Sequence, residues 1–545
     1  MNSVAGAPRP AGAVARSGGG LRTPPPPAAL WAPAALVAVA IALPLAYLVM
    51  RALGAGGETA DLLLRLRTFE TLGRTVALVV AVTGAALALA LPLAWLASRS
   101  DIPFRRVWSV LLPLPLVIPS YVAGFVVVAA LGPRGMLQQL LAAPLGVERL
   151  PEIYGFPGAL LTIVLVAFPY AFLALQAALR GLDPALEEVS RNLGHGRWDT
   201  FWRVTLPQLR PALAAGGLLI ALYTLSDFGA VSLLRYETFT WAIYLQYQTS
   251  LDRTMAAALS LVLVAAAVVI LLVDFSLRGR ARYHRVSSGT QRPSTPVKLG
   301  RWRWPALAFC ALTVTGALVM PVAVLLYWLA QALHAGEPLR AVWGAAVNSA
   351  YASGLAALVA IAAALPVAIL AVRYPGVVSA LLERFTYIGF ALPGIVLALA
   401  LVFFGANFAT PLYQTLAMLV FAYVILFLPQ AVGTCRTALL QVSPRLEEAA
   451  RSLGRTPAQV VTTITLPLIR PGILAGAALV FLSTMKELPA TLLLSPIGFR
   501  SLATTIWSAT DSGFLARAAV PALLLILVSS LPMAFFVIRQ QRTRP

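Results

Sequence analysis

Asp183-Pro-Ala-Leu-Glu-Glu-Val-Ser-Arg-Asn-Leu-Gly194 runs on to Leu206-Pro207 and Arg210-Pro211, and the chain then writes this stretch again. The second copy is Ser443-Pro-Arg-Leu-Glu-Glu-Ala-Ala-Arg-Ser-Leu-Gly454, followed by Leu466-Pro467 and Arg470-Pro471. Glu187 maps to Glu447, Glu188 to Glu448, Gly194 to Gly454 and Leu206-Pro207 to Leu466-Pro467, each 260 residues apart without a gap. Asp183 and Ser443 suit a helix N-cap, and Pro184 and Pro444 suit the first helical position. Each glycine falls where a left-handed residue ends a helix, and Thr456-Pro457 opens a further short helix by the same start rule. Each copy therefore predicts a helix, a turn and a second helix. Leu186, Val189 and Leu193 share one side of the first helix, matched by Leu446, Ala449 and Leu453. So short a helix is marginal alone. Singly, either copy reads as an amphipathic connector resting on a bilayer. Two gapless copies favour a docking element, because a connector need not keep its glycine and its Leu-Pro.

Outward from these polar islands the chain is apolar. Of its 545 residues 59% are hydrophobic and 11% charged, against about 25% charged in soluble proteins. The fold expected is an all-α membrane protein with about twelve transmembrane helices. Stretches of the length needed to cross the hydrocarbon core lie near 29–53, 72–97, 108–131, 158–180, 212–234 and 255–277. The second set lies near 305–330, 346–372, 385–405, 415–438, 472–495 and 516–538. The net charge of +21 does not point to nucleic acid, because the basic residues sit in short loops between apolar spans. Counting Lys and Arg places the N-terminus, the C-terminus and both repeated stretches on the cytoplasmic side. The segment 278–304 alone carries Arg278, Arg280, Arg282, Arg285, Arg292, Lys298, Arg301 and Arg303.

The duplication extends beyond the loops. Pro169 matches Pro429 at the same offset, and Asp227-Phe-Gly-Ala matches Glu487-Leu-Pro-Ala. Upstream the offset is 274, pairing Pro92 with Pro366 and Pro119 with Pro393, so an insertion falls in the first half near 132–157. Each half holds an even number of spans, which makes the two six-helix halves parallel repeats. The expected organisation is a disordered cytoplasmic tail at 1–28 and a first unit at 29–277 carrying the loop 183–211. A basic linker follows at 278–304, then a second unit at 305–538 carrying the loop 443–471, and a short cytoplasmic tail at 539–545.

Chemistry-bearing residues are few. Cys310 and Cys435 fall in or beside apolar spans and give no disulfide framework, and His195, His284 and His334 have no metal-ligand spacing. Neither Lys298 nor Lys486 follows a glycine-rich phosphate loop, so any ATP is bound by another chain. Asp227 and the pair Lys486-Glu487 sit within or near the fifth span of each half, where charge is costly. Two readings stay open for them: helix packing by charge neutralisation, or a place at a central pathway or gate. Asp274, near a span end, reads as interfacial.

E-x-x-x-x-x-G followed by L-P resembles the cytoplasmic signature loop of importer-type ABC permeases, and the second copy also has that family's Glu-Ala-Ala at Glu448-Ala449-Ala450. The first copy departs from it with Glu188-Val189-Ser190. The resemblance covers residues 60–540 as two fused permease units. It implies that Glu187, Glu188, Gly194, Leu206 and Pro207, with Glu447, Glu448, Ala449, Ala450, Gly454, Leu466 and Pro467, engage two copies of an ATPase subunit. ATP and Mg would sit on that partner, with no cofactor, catalytic residue or metal site on this chain. It also implies a periplasmic or extracellular substrate-binding protein and a place in a bacterial inner membrane. The segments Ser226–Glu237, Thr238–Tyr247 and Lys486–Leu494 resemble the ferric-iron branch, so ferric iron is the expected cargo. Related fused permeases carry thiamine, aminoethylphosphonate, polyamine or sulfate-like cargo. A twelve-helix secondary transporter would explain parallel halves but not the two Glu-to-Gly loops, and an intramembrane enzyme finds no catalytic set within the spans.

Overall fold

The computed structural model describes residues 28–54, 64–249, 254–278, 296–336 and 340–542. The regular structure among them is helical, with one isolated bridge between Ser100 and Val297 and no strand. The expected tail up to residue 27, the linker residues 279–295 and the end of the C-terminal tail, 543–545, lie outside the described residues.

The first unit opens with α1 (Ala28–Gly54) and the long α2 (Leu66–Arg99). Next come α3 (Arg105–Leu111), a 3-10 turn at Leu114–Val117, α4 (Ser120–Leu131), α5 (Met136–Leu145) and α6 (Phe156–Gly181). The first signature stretch forms α7 (Pro184–Asn192) and α8 (Arg197–Thr200) and leads into α9 (Leu206–Ser226). The unit closes with α10 (Gly229–Leu233), α11 (Phe239–Thr249) and α12 (Thr254–Arg278). The second unit begins with α13 (Arg303–Val314), α14 (Met320–His334) and α15 (Arg340–Arg373), followed by α16 (Val377–Ala391), α17 (Gly394–Phe408) and α18 (Leu416–Gln441). Its signature stretch forms α19 (Pro444–Ser452) and α20 (Pro457–Val460), then come α21 (Leu466–Met485), α22 (Pro489–Leu494), α23 (Leu502–Asp511) and α24 (Leu515–Arg542). Among the described residues ten helical segments are long and apolar enough to cross a bilayer, and Gly394–Phe408 and Leu515–Ser530 are shorter apolar helices. Together they account for the twelve apolar stretches of the sequence.

Four stretches drawn from hydropathy as continuous spans are broken. The one at 108–131 is interrupted around Pro113, Pro115 and Pro119, and Pro119 itself is extended (ψ 150°) just before α4. The one at 385–405 breaks at Leu392, which proline 393 pushes into extended backbone (ψ 122°). The stretches at 212–234 and 472–495 break after Ser226 and Met485, with Asp227 and Lys486-Glu487-Leu488 in the gaps. Non-helical backbone at membrane depth is tolerated where it is buried in protein or lines a cavity, and these breaks come together in pairs. Close approach makes the pairing possible. A Cβ on Gly124 of α4 would lie 3.3 Å from the Ala230 Cα of α10, and one on Gly229 would meet the Tyr121 Cβ at 2.6 Å.

Proline also shapes the entries to three long helices. A π-turn precedes Leu206-Pro207 (Phe201–Thr205), Leu466-Pro467 (Val461–Thr465) and Met320-Pro321 (Thr315–Val319). Proline lacks an N–H and its ring crowds the carbonyl one turn back. The residue before it donates five positions back instead, as Leu206 does to Phe201 and Leu466 to Val461.

The units are interlocked at their first helices. α1 packs on α15, α16 and α17 of the second unit as well as on α12, so Ala34, Ile41 and Leu48 share a core with Ile395, Leu399 and Ala356. At the start of the second unit, Cys310, Val314 and Ala317 join the first unit's core around Phe168 and Phe172, while α14 packs on α4 and α24. Both cysteines are buried and free.

Candidate functional site: paired loops and a central cavity

The two signature loops fold alike. The Asp183 carboxylate accepts from the Ala185 N–H at 3.0 Å, whereas the Ser443 side chain makes no capping bond. Gly194 and Gly454 lie in the left-handed region, at φ 88° and 83°. Around each, two backbone bonds close the helix end. Gly194 donates to Arg191 and His195 to Ser190, and likewise Gly454 to Arg451 and Arg455 to Ala450. These are the two bonds of a Schellman turn, which satisfies carbonyls the helix end would otherwise leave open. The expected helix at Thr456-Pro457 is present, with Thr456 and Gln459 capping each other reciprocally.

The Glu-Glu pair divides its work between two faces. Glu188 and Glu448 are exposed, but Glu187 and Glu447 turn inward. Glu447 Oε1 accepts from Arg373 Nε at 3.0 Å and from Thr465 Oγ1 at 3.0 Å, and Arg373 Nη2 stands 2.9 Å from it as an ion-pair contact. Glu187 Oε1 accepts from Thr205 Oγ1 at 3.1 Å, with Arg99 Nη2 at 3.8 Å. Ala450 is buried as well, so among the residues carried over from the family loop Glu187, Glu447 and Ala450 anchor the helices from inside. The departure at Ser190 has a use: its hydroxyl meets that of Thr200 at 3.1 Å and ties α7 to α8. Arg99, Arg373, Thr205 and Thr465 were not singled out from the sequence, although Arg99 and Arg373 stand at the 274 offset and the threonines at 260.

With the acids turned in, the apolar side of each short helix faces out. Leu186, Val189 and Leu193 are exposed, as are Leu446, Ala449 and Leu453, and Leu453 is 85% exposed. Trp198 and Trp202 extend the first patch. Leu206, Pro207 and Leu466 are half-buried where the loops return to α9 and α21, and Pro467 is exposed.

The broken helices converge on a cavity of about 250 Å³ lined by residues of both units, Asp227, Lys486 and Glu487 among them. Asp227 Oδ1 accepts from the N–H groups of Ala230 (3.0 Å) and Val231 (3.3 Å), and Glu487 Oε1 from that of Ala490 (3.2 Å). Each acid thus caps the half-helix that follows it, where orphan donors and the helix dipole favour an anion. Lys486 Nζ donates across the unit boundary to the Leu116 carbonyl at 3.0 Å, and among the described residues none of the three forms an ion pair within 4 Å. Packing by charge pairing therefore does not account for them. Ser120 lies against Asp227 in the first unit, while its counterpart Gly394 leaves room for the longer Glu487, whose Oε1 would be 2.5 Å from a Cβ there. Tyr121, Tyr170, Tyr223, Ser226, Gln430 and Ser483 add to the polar lining. Among the described residues no group of His, Cys, Asp and Glu is arranged to hold a metal ion.

Residues 86–282 and 356–545 each match the family described as the binding-protein-dependent transport system inner membrane component. The chain is 36% identical over 503 residues to the Fe(3+)-transport system permease protein FbpB 2 of Haemophilus influenzae, an overlap of 91% of this chain and 96% of that protein. It is 26% identical over 444 residues to the ferric transport system permease protein FbpB of Actinobacillus pleuropneumoniae, covering 78% of this chain and 64% of the relative. It is also 34% identical over 187 residues to the molybdenum transport system permease protein ModB of Escherichia coli K12, covering 33% of this chain and 80% of that one.

Proposed function

Because this chain belongs to the family of binding-protein-dependent transport inner membrane components, we propose that α7 and α19 are its two contacts for a pair of ATPase subunits. It is the permease subunit of an ABC importer, a multi-pass inner-membrane protein whose family has no nucleotide-binding domain and binds no cofactor itself. Such a system works with an ATPase and a substrate-binding protein. One observation carries the contact assignment: two equivalent helices, each held from below by a Glu and from its end by a Schellman turn, present bare apolar side chains to solvent. A stripe of that kind stabilises a partner's groove in the way helix-in-groove recognition does. ATP and Mg stay on the partner, one copy per loop. Both loops and both termini face the cytoplasm, which the distribution of Lys and Arg supports. The two units, 29–277 and 305–538, form the two walls of the pathway.

The cargo is ferric iron, supported by the likeness to the Haemophilus protein along nearly its whole length. The binding protein delivers it on the opposite face, over the loops near 132–157, 235–254 and 496–515. Asp227, Lys486 and Glu487 belong to the pathway or its gate, because they line a cavity shared by both units and do not neutralise one another. Closure of the ATPase pair pushes α7 and α19 and rocks the units between inward- and outward-open states. The shift is limited by the differential affinity of ligands for those states. The test is uptake into vesicles holding this chain, its ATPase and its binding protein, with radiolabelled Fe(III), thiamine, molybdate and sulfate offered in turn. ATP-dependent accumulation of iron alone is expected. Preference for another cargo overturns the iron assignment, and uptake that survives ATP depletion but collapses with an ionophore overturns the importer mechanism.

A further inference from the structure

The two units hold one device in two positions. Below α19, both Arg373 Nε and Nη2 reach Glu447 Oε1, and Nη2 also donates to the Val442 carbonyl at 3.1 Å. Below α7, Arg99 Nε donates instead to the Leu179 carbonyl at 3.1 Å. Its Nη2 is buried without a hydrogen bond, 3.8 Å from Glu187 Oε1. The counterpart of Val442 in the first unit is Leu182, three residues beyond Leu179 and so about one helical turn further on. The carboxylates do not differ in this way, since Thr205 and Thr465 hold the same Oε1 atom in both units at 3.1 and 3.0 Å. The arginine is what differs. On the exposed side Arg191 stands 3.9 Å from Glu187 Oε2.

We propose that Arg99 and Arg373 are positioning residues that clamp the coupling helices to the ends of α2 and α15. The transport cycle then closes the first clamp, open in this structure, into the geometry of the second. The proposal rests on α7 and α19 being the ATPase contacts. Pressure on α7 brings Glu187 and the Arg99 guanidinium together and carries the movement into α2, which packs along α6 and α9. α9 ends at Ser226, and Asp227 follows it beside the cavity. The second clamp links α19 to α15, which packs on α18 and α21 and so reaches Glu487. The first clamp also carries a tether. Val297 N–H donates to the Arg99 carbonyl at 2.8 Å, Asp101 N–H to the Val297 carbonyl at 3.2 Å, and Leu299 N–H to Asp101 Oδ1 at 2.9 Å. The chain leading into the second unit is therefore fastened to the arginine turn that moves.

Two double-mutant cycles in the full complex with its ATPase test this, Arg99→Gln with Glu187→Gln and Arg373→Gln with Glu447→Gln. Each is read twice, as the unfolding rate in SDS without nucleotide and as cargo taken up per ATP hydrolysed. The Arg373–Glu447 pair should couple by about fivefold or more in the unfolding rate. The Arg99–Glu187 pair should couple by less than about twofold there but by about fivefold or more in uptake per ATP. Equal coupling of both pairs without nucleotide, or no coupling of Arg99 to Glu187 in either readout, overturns the proposal. If Arg373→Gln prevents assembly, Arg373→Lys keeps the charge and loses the two-pronged contact, and its unfolding should still accelerate; an unchanged rate would count against an engaged clamp. The premise is tested separately by Leu193→Asp with Leu453→Asp. ATPase co-purification that withstands both substitutions removes the docking assignment.

Discussion

At the residue scale, Gly454 shows how little freedom the loops have. No neighbour would meet a Cβ there, so the cost of substitution lies in φ alone, 83°. Gly454→Ala should strain the turn by about 1–2 kcal/mol and lower uptake moderately. Gly454→Pro cannot adopt that φ and also removes the N–H given to Arg451. It should uncouple ATP hydrolysis from uptake while membrane insertion persists, and normal coupled uptake by this variant would refute the coupling role. The adjacent glutamates should separate in the same way. Charge reversal at exposed Glu188 and Glu448 is expected to weaken ATPase co-purification without lowering the thermal midpoint of the permease. Glu447→Gln, which removes a buried carboxylate charge from a largely buried guanidinium, should lower that midpoint, a loss on the order of 3 kcal/mol. The sequence made the pair visible but not its division, because burial of Glu447 depends on Arg373, a partner 74 residues away.

At the scale of elements, the broken helices decide what the cavity contains. Hydropathy located all twelve stretches but drew four of them through their breaks, since composition averaged over a window does not register where a proline or an uncapped turn ends a helix. Pro119 and Pro393 were already evident as a repeated pair, and their effect on Leu392 follows from the crowding of the residue before proline. What the sequence did not reveal is that Asp227 and Glu487 cap the half-helices α10 and α22, a contact that exists only once the breaks form. Side-chain size across that contact is compensated between units, with Ser120 facing the shorter acid and Gly394 the longer. Gly394→Ser should therefore displace the Glu487 carboxylate and slow uptake. Adding Glu487→Asp should restore part of the loss, as measured by initial rates in reconstituted vesicles. A double variant slower than the single one would show that the acid's reach, and not the space beside it, is what transport requires.

At the scale of the whole molecule, sequence repetition and structural units do not coincide. The offsets of 260 and 274 divide the chain into two repeated halves, yet each half begins with a helix that packs on the other. α1 buries Ala34, Ile41 and Leu48 in the second unit's core, and Cys310 and Val314 enter the first unit's. No pattern in one strand of sequence specifies this exchange, because a span that is apolar on every side fits either core. The consequence is that the crossing helices hold the halves together. Apolar contact in lipid supplies packing without a hydrophobic drive, so the association draws on close packing of α1 against α15, a helix that buries the small residues Ala352, Ala356 and Ala360. A chain cut within 279–295 and expressed as two fragments should reassemble, co-purify through a tag on either piece and support ATP-dependent uptake. The first fragment expressed alone would lack the surface of α15, α16 and α17 that covers α1, and should be degraded or fail to purify as a stable species. Separate fragments that are each stable but do not associate would mean that the linker carries the assembly.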